Sequence, residues 1–180
     1  LAQQRGEQAL RMVAVNMPWL SPLVYAVQII VDARCNIAAV TQTGRVLLNP
    51  LVFSVLPIRE ATYVMAHELL HLALDTFSRE TKFDDPETVN IAHDYIINDL
   101  LRRELDMSPP LGGLDLYGAA DWSLEKVVAW MNEQEDRKRS ACWHWGARIW
   151  ETPASSNTTS ALGSALRDAG LLPNQSGSSA

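Results

Sequence analysis

The stretch ATYVMAHELLHLAL, residues 61–74, carries Glu68 as its single charged side chain. Pro57 precedes it, and proline suits the first helical position because no N–H donor is needed there. An apolar segment of this length predicts a helix that is buried on most of its faces. The fold is therefore expected to be built around this helix.

The same stretch contains His67 and His71 in the HExxH spacing. Four residues of α-helix turn the chain by about 400°, so the two imidazoles lie one turn apart on nearly the same face. Zinc (Zn2+) is the expected ion, since a catalytic zinc site binds His nitrogens and keeps one position open. Glu68 lies beside that face, where it is expected to be the general base that acts on a metal-activated water.

The third ligand of such a site is not given by the common spacings. The extended HExxHxxGxxH form needs Gly at position 74 and His or Asp at position 77, and this sequence has Leu74 and Phe77 there. A Glu about 20 residues after the second His, as in another common arrangement, would fall on Asn90 or Ile91. Neither residue is acidic, so the ligand must come from a different position.

Further helices are predicted by periodicity and by capping residues. A helix over residues 5–17 follows from the spacing of its apolar residues. Asp85-Pro86-Glu87 combines a capping side chain, a proline and a carboxylate near the positive end of the helix dipole, and that helix should run to about residue 104. Another helix should begin at Ser123. Its apolar stripe consists of Leu124, Val127, Val128 and Met131.

The helix that begins at Asp85 supplies the candidates for the third ligand. Asn90, His93 and Asp94 are spaced i, i+3 and i+4 and therefore share one stripe. Asp94 is predicted to be the third ligand, with Asn90 as a hydrogen-bonding residue behind the ligands. Two alternatives stay open: His93 is the ligand, or Asp94 only orients one of the histidines.

Two β-branched runs, residues 23–31 and 36–41, and a third, Arg45–Asn49, are typical of strands. Thr43-Gly44 predicts a hairpin before the third run. The expected fold class is α+β, with a small, mostly antiparallel sheet packed on the HExxH helix and on a second ligand-bearing helix.

Four segments resemble a known family: GRVLLNP (44–50), MAHELLHLAL (65–74), NIAHDYIINDLL (90–101) and GGLDLYGAADWSLEKVVAWM (112–131). They are similar to the "putative metallopeptidase domain" of bacteria and their viruses that often precedes a von Willebrand factor A-like domain. The resemblance spans roughly residues 18–131. It implies a zincin-like fold, and it implies a role for the Asp of the NxAxDY pattern, which is Asp94 here.

Hydrolysis of peptide bonds is the expected reaction, with an extended substrate added as a strand to an exposed sheet edge, for which Arg45–Asn49 is the best candidate. The donor that steadies the developing oxyanion is among Tyr95, Tyr117, His93 and His144, with Tyr117 favoured because it lies in a Gly-rich loop. The alternative is a catalytically inactive, zincin-like binding module with a structural metal. Two His and one carboxylate also suit Fe(II).

Composition predicts one domain over residues 1–150, followed by a polar tail over 151–180 that is rich in Ser, Thr, Gly, Pro and Asn. The chain has 180 residues, of which 47% are hydrophobic, which is enough for one core. The tail is expected to be flexible.

Charge and hydropathy restrict the partners. A net charge of −6 argues against nucleic acid, whose binding needs excess Lys and Arg. The longest apolar stretch, residues 22–31, is too short to cross a bilayer. Cys35 and Cys142 lie far apart in the sequence, so a reduced, cytoplasmic location is expected. The expected partner is a peptide or protein substrate. The oligomeric state is not predicted.

Overall fold

A computed structural model describes residues 1–80 and 85–134 of the chain. Over these residues the fold is α+β, as expected, with one small sheet and mostly helices. The helices are α1 (Ala2–Asn16), α2 (Ser21–Ala26), α3 (Pro50–Phe53), α4 (Ile58–Ala73), α5 (Thr76–Glu80), α6 (Pro86–Leu105) and α7 (Leu124–Glu133), and the strands are β1 (Gln28–Val31), β2 (Ala38–Val40) and β3 (Arg45–Leu48). Short 3-10 turns lie at Pro18–Leu20, Pro110–Gly112 and Ala119–Asp121.

The main core lies between α1, α4 and the sheet. Every residue of α4 from Ala61 to His71 is buried, as its apolar sequence predicts. α1 packs along α4, and Gly6 lets it approach β3 closely, because a Cβ at this position would collide with Cδ1 of Leu48. α1 and the sheet thus enclose the HExxH helix, and α6 packs against it as well.

A second cluster joins α6 to α7. Asp85 caps α6, with its side chain accepting from the backbone N–H of Glu87 and Thr88, and Ser123 caps α7 through the N–H of Lys126. Both helix starts are therefore confirmed. The cluster itself contains Val89, Ala92, Tyr95, Ala119, Leu124, Val127 and Met131.

The sheet has the order β1-β3-β2 and is mixed. β2 and β3 are antiparallel, whereas β1 and β3 are parallel, so the expectation of a mostly antiparallel sheet is wrong. The reason is the path of residues 32–37. Val31 and Ala38, on either side of this segment, both pair with Leu48, so the chain passes around the end of β3 and places β1 on its other side.

This topology also corrects the expected substrate edge. The sequence predicts an exposed edge at Arg45–Asn49, but β3 pairs on both sides and is the central strand. The edges belong to β1 and β2. The hairpin at Thr43-Gly44 is confirmed, because Gly44 donates to the carbonyl of Thr41 and adopts a φ of 79°.

The strand expected over residues 23–31 begins only at Gln28. Residues 21–26 form α2 instead, since Pro22 lies in its first turn and the N–H of Val27 donates to the carbonyl of Leu23 at 3.0 Å. Local β-propensity was overridden here by a proline that suits a helix start.

Some expectations concern residues outside the described ranges. The tail over 151–180, Cys142 and His144 all belong to this group. Cys35 is a free, buried thiol, and burial, followed by the charge of Glu68, raises its pKa to about 12. Among residues 1–80 and 85–134, no helix has both the length and the apolar character that crossing a membrane requires.

Candidate metal centre

The two histidines of α4 face each other one helical turn apart. Their Nε2 atoms lie 3.1 Å from one another, and the ring planes cross at 68°. Both residues are buried, at 0% and 3% exposure for His67 and His71. The helix period alone produces this pairing, as the HExxH spacing predicts.

Asp94 on α6 completes a group of three potential ligands. One of its oxygens, Oδ1, lies 3.3 Å from Nε2 of His67 and 3.1 Å from Nε2 of His71. Two ligands at 2.0–2.1 Å from a tetrahedral ion are about 3.3 Å apart. The separations of these three atoms therefore fit a site for a metal ion such as zinc, and the three residues could hold one.

The electrostatics of Asp94 also favour a cation. Burial by itself would raise the pKa of this carboxyl, but the two imidazoles beside it outweigh burial and hold the pKa below its usual range. Apart from these two contacts, the oxygens of Asp94 have no hydrogen-bond partner in the described part of the chain. A buried carboxylate in this state is stabilised by a positive charge next to it.

Each histidine makes a second contact through Nδ1. Nδ1 of His67 lies 2.9 Å from Oδ1 of Asn98 on α6, and Nδ1 of His71 lies 3.1 Å from Oγ1 of Thr76 at the start of α5. Such contacts leave Nε2 as the nitrogen that faces the metal. The contact to Thr76 spans a sequence separation of 5 residues and that to Asn98 one of 31.

Glu68 lies beside the three potential ligands and takes no part in the contacts that join them to one another. It is 0% exposed, and neither of its oxygens has a hydrogen bond of normal geometry within residues 1–80 and 85–134. Burial raises the pKa of this carboxyl, and the negative charge of Asp94 adds to the effect, while the two histidines and the backbone of Val40 lower it. The carboxyl group is therefore poised to accept a proton at a higher pH than an exposed glutamate.

His93 is not brought into the group of potential ligands. It is buried at 3% exposure, and its ring nitrogens have no hydrogen bond of normal geometry within the described residues. Burial first, then the charges of His71 and Arg79, lower its pKa to about 4. His93 is thus held as a neutral ring near the centre, and the geometry favours Asp94 as the third ligand.

The other candidates lie in different surroundings. Tyr95 packs edge-on against Trp130 in the second cluster, with ring centroids 5.5 Å apart. Tyr117 is 84% exposed, and its ring contacts the guanidinium of Arg102. Asn90 is only half-buried, and the hydrogen bond expected of it is made by Asn98, two turns further along α6.

Sequence reasoning missed Asn98 and Thr76. Asn98 carried a usable signal, because it lies four residues after Asp94 and therefore on the same stripe of α6. Thr76 carried none, since a single Thr after a helix is common. Its role depends on the turn by which α4 is followed by α5.

Comparison with known proteins gives one result. A family model described as a "putative metallopeptidase domain" matches residues 2–137. No curated protein and no solved structure matches the chain. The matched segment covers more than half of the chain and includes His67, Glu68, His71 and Asp94.

Proposed function

We propose, from the premise that the chain belongs to the "putative metallopeptidase domain" family, that it hydrolyses peptide bonds with a zinc ion held by His67, His71 and Asp94. Membership of this family confirms the resemblance seen in the sequence. Together with the His/His/Asp group it implies a metal cofactor. Zinc as the metal, and catalysis itself, belong to the proposal.

One observation carries the proposal: three potential ligands converge beside the carboxyl of Glu68, which makes no hydrogen bond to another side chain within residues 1–80 and 85–134. The separations of 3.1–3.3 Å among the ligand atoms suit a single divalent ion. When bound, zinc would polarise the scissile carbonyl and make a water more acidic. Two His and one carboxylate also suit Fe(II), but the glutamate next to the first histidine favours hydrolysis.

Glu68 is proposed to move the proton. Its carboxylate accepts a proton from the attacking water as the water oxygen bonds to the scissile carbonyl carbon. The C–N bond then breaks, and Glu68 returns the proton to the leaving amine. The raised pKa supports this role, because a base whose pKa is closer to neutral also serves as an acid in the second half of the reaction.

The substrate is proposed to lie along β2. Thr41 N–H donates to Arg45 and Asn49 N–H donates to Ile37, so the backbone groups of Ala38 and Val40 point away from β3. A hydrogen bond from the backbone of Val40 also lowers the pKa of the Glu68 carboxyl. A peptide added at this edge would be held by main-chain bonds beside the proposed base.

The burial of the centre favours a second candidate, a metal that only stabilises the fold. His67, Glu68, His71 and Asp94 are at most 3% exposed, whereas a peptidase must admit a peptide to its metal. Against this candidate stands Glu68, since a structural site typically has four protein ligands and needs no free carboxylate.

The two candidates are separated by Glu68→Gln. The purified full chain, loaded with zinc, is incubated with casein and with a mixed peptide library, and cleavage is followed by mass spectrometry. The proposal expects cleavage by the wild type, an at least ~100-fold slower rate for Glu68→Gln, and equal zinc content in both. Equal rates for the two proteins would contradict the role of Glu68 as the base, and no cleavage by a fully loaded wild type would count against a peptidase and favour the structural role.

A further inference from the structure

We propose that Asn98 is a positioning residue of the metal centre, which sets the tautomer of His67 so that Nε2 presents its lone pair to the ion. The proposal rests on the proposed function only in requiring that the centre holds a metal. Asn98 lies on α6 one turn after Asp94 and is 1% exposed. One helix therefore supplies both a ligand and the group that orients another ligand on α4.

The orientation of the Asn98 amide follows from its second hydrogen bond. Its Nδ2 donates to the carbonyl oxygen of Leu114 at 2.8 Å, and a carbonyl only accepts. The atom that faces His67 is therefore the amide oxygen. Since this oxygen also only accepts, Nδ1 of His67 must carry the proton at this 2.9 Å contact.

The consequence for the metal lies at the opposite side of the ring. A neutral imidazole with its proton on Nδ1 has a free lone pair on Nε2. That nitrogen is the one 3.3 Å from Oδ1 of Asp94 and 3.1 Å from Nε2 of His71. Asn98 thus prepares His67 for metal binding without touching the ion.

Asn98 is itself firmly held. The hydroxyl of Tyr63 on α4 donates to its backbone carbonyl at 3.1 Å. The next residue, Asp99, accepts from the backbone N–H of Gly118 at 3.2 Å and of Ala120 at 3.0 Å. Because α4, α6 and the segment 114–120 all meet at this point, the amide has little freedom to release the His67 ring.

The competing explanation is that Asn98 only satisfies buried polar groups of the fold. The two roles use different atoms of the amide, which allows them to be separated. Asn98→Asp keeps an acceptor for Nδ1 of His67 and loses the donor to Leu114. Asn98→Ala loses both, and Asn90→Ala is a matched control on the same helix.

The test measures zinc affinity of the full chain by competition with a chromogenic chelator. We expect Asn98→Ala to bind zinc about 10–100-fold more weakly than the wild type, which is the usual range when a residue that hydrogen-bonds to a metal ligand is removed. Asn98→Asp should stay within a few-fold of the wild type, and Asn90→Ala should not change. Equal affinity for Asn98→Ala and the wild type, or equal weakening by Ala and Asp, would overturn the proposal.

A second readout does not depend on zinc. The proton on Nδ1 of His67 is buried and hydrogen-bonded, so it should give a slowly exchanging downfield imidazole signal by NMR. We expect this signal in the wild type and in Asn98→Asp and its loss in Asn98→Ala. If the wild type binds no zinc, the proposed function fails, whereas an absent signal in the wild type contradicts the role of Asn98.

Discussion

The two histidines of the centre are oriented by different means. His71 is held from a position 5 residues away, where the hydroxyl of Thr76 lies 3.1 Å from its Nδ1. His67 is held across 31 residues by Asn98, whose amide is fixed by a further bond to Leu114. One side of the centre therefore depends on the turn after α4, and the other depends on how α6 and the following segment pack.

This difference shows which part of the site a short motif can specify. The HExxH spacing and the turn after it bring His71 and Thr76 together with little help from the rest of the fold. The His67 side is complete only after α6 has packed against α4, because Asp94 and Asn98 both arrive on that helix. We therefore expect changes on α6 to affect metal binding more than changes next to the motif.

The largest effect is expected for Asp94→Ala, which removes the ligand that contacts both histidines. Zinc affinity should fall about 1000-fold, which is more than the loss expected when a residue that only hydrogen-bonds to a metal ligand is removed. The measurement is zinc per chain after dialysis against a chelator. Asp94→Asn, which has the same shape without the charge, should fall between Asp94→Ala and the wild type. Tight, stoichiometric zinc in Asp94→Ala would show that Asp94 only orients a histidine.

A smaller effect is expected for Thr76→Val, which removes the partner of His71. Zinc affinity should fall about 10-fold, and by less than in Asn98→Ala, because the hydroxyl is anchored to the carbonyl of His71 at 3.3 Å, a longer bond than the 2.8 Å bond that anchors the amide of Asn98. The same chelator competition measures it, and Thr76→Ser should restore the wild-type value. A loss as large as that of Asn98→Ala would mean that the two sides do not differ.

The smallest effect is expected at the start of α6, where Asp85→Ala removes the cap and should lower the free energy of unfolding by about 1 kcal/mol. The hydrogen bond from the Thr88 side chain, followed by backbone N–H donors, lowers the pKa of Asp85 from 3.8. Because the folded state has the lower pKa, the charged cap stabilises the protein fully above the unfolded-state pKa of 3.8. This stabilisation is lost as the pH falls through the lower pKa of the folded state.

Urea unfolding at pH 7 and pH 3 measures this difference. The penalty of Asp85→Ala should shrink at pH 3, because below the ordinary pKa of 3.8 the unfolded chain binds a proton that the folded cap takes up only at a lower pH. Ser123→Ala is the matched control, because Ser123 caps α7 through a hydroxyl that does not titrate in this range. A penalty at Asp85 that is independent of pH would contradict the assignment of a charged cap.

Local patterns predicted much of the helical structure. The start of α6 at Asp85, the start of α7 at Ser123 and the hairpin at Gly44 all depend on residues within one turn of each other, and all three are confirmed. The same reasoning failed where distant segments compete. It treated residues 23–26 as strand and placed β3 at an edge, because strand order depends on the path of residues 32–37 around β3.

The amino-acid order alone determined the buried helix that bears His67, Glu68 and His71, since helical periodicity and apolar composition act within a single segment. It also identified Asp94 as a candidate for the third ligand. Only the packing of α6 against α4 decided that Asp94 rather than His93 meets the histidines and that Asn98 rather than Asn90 contacts one of them. Residues on one stripe of a helix are equivalent in sequence, and they become different only when a neighbouring helix contacts some of them and not the others.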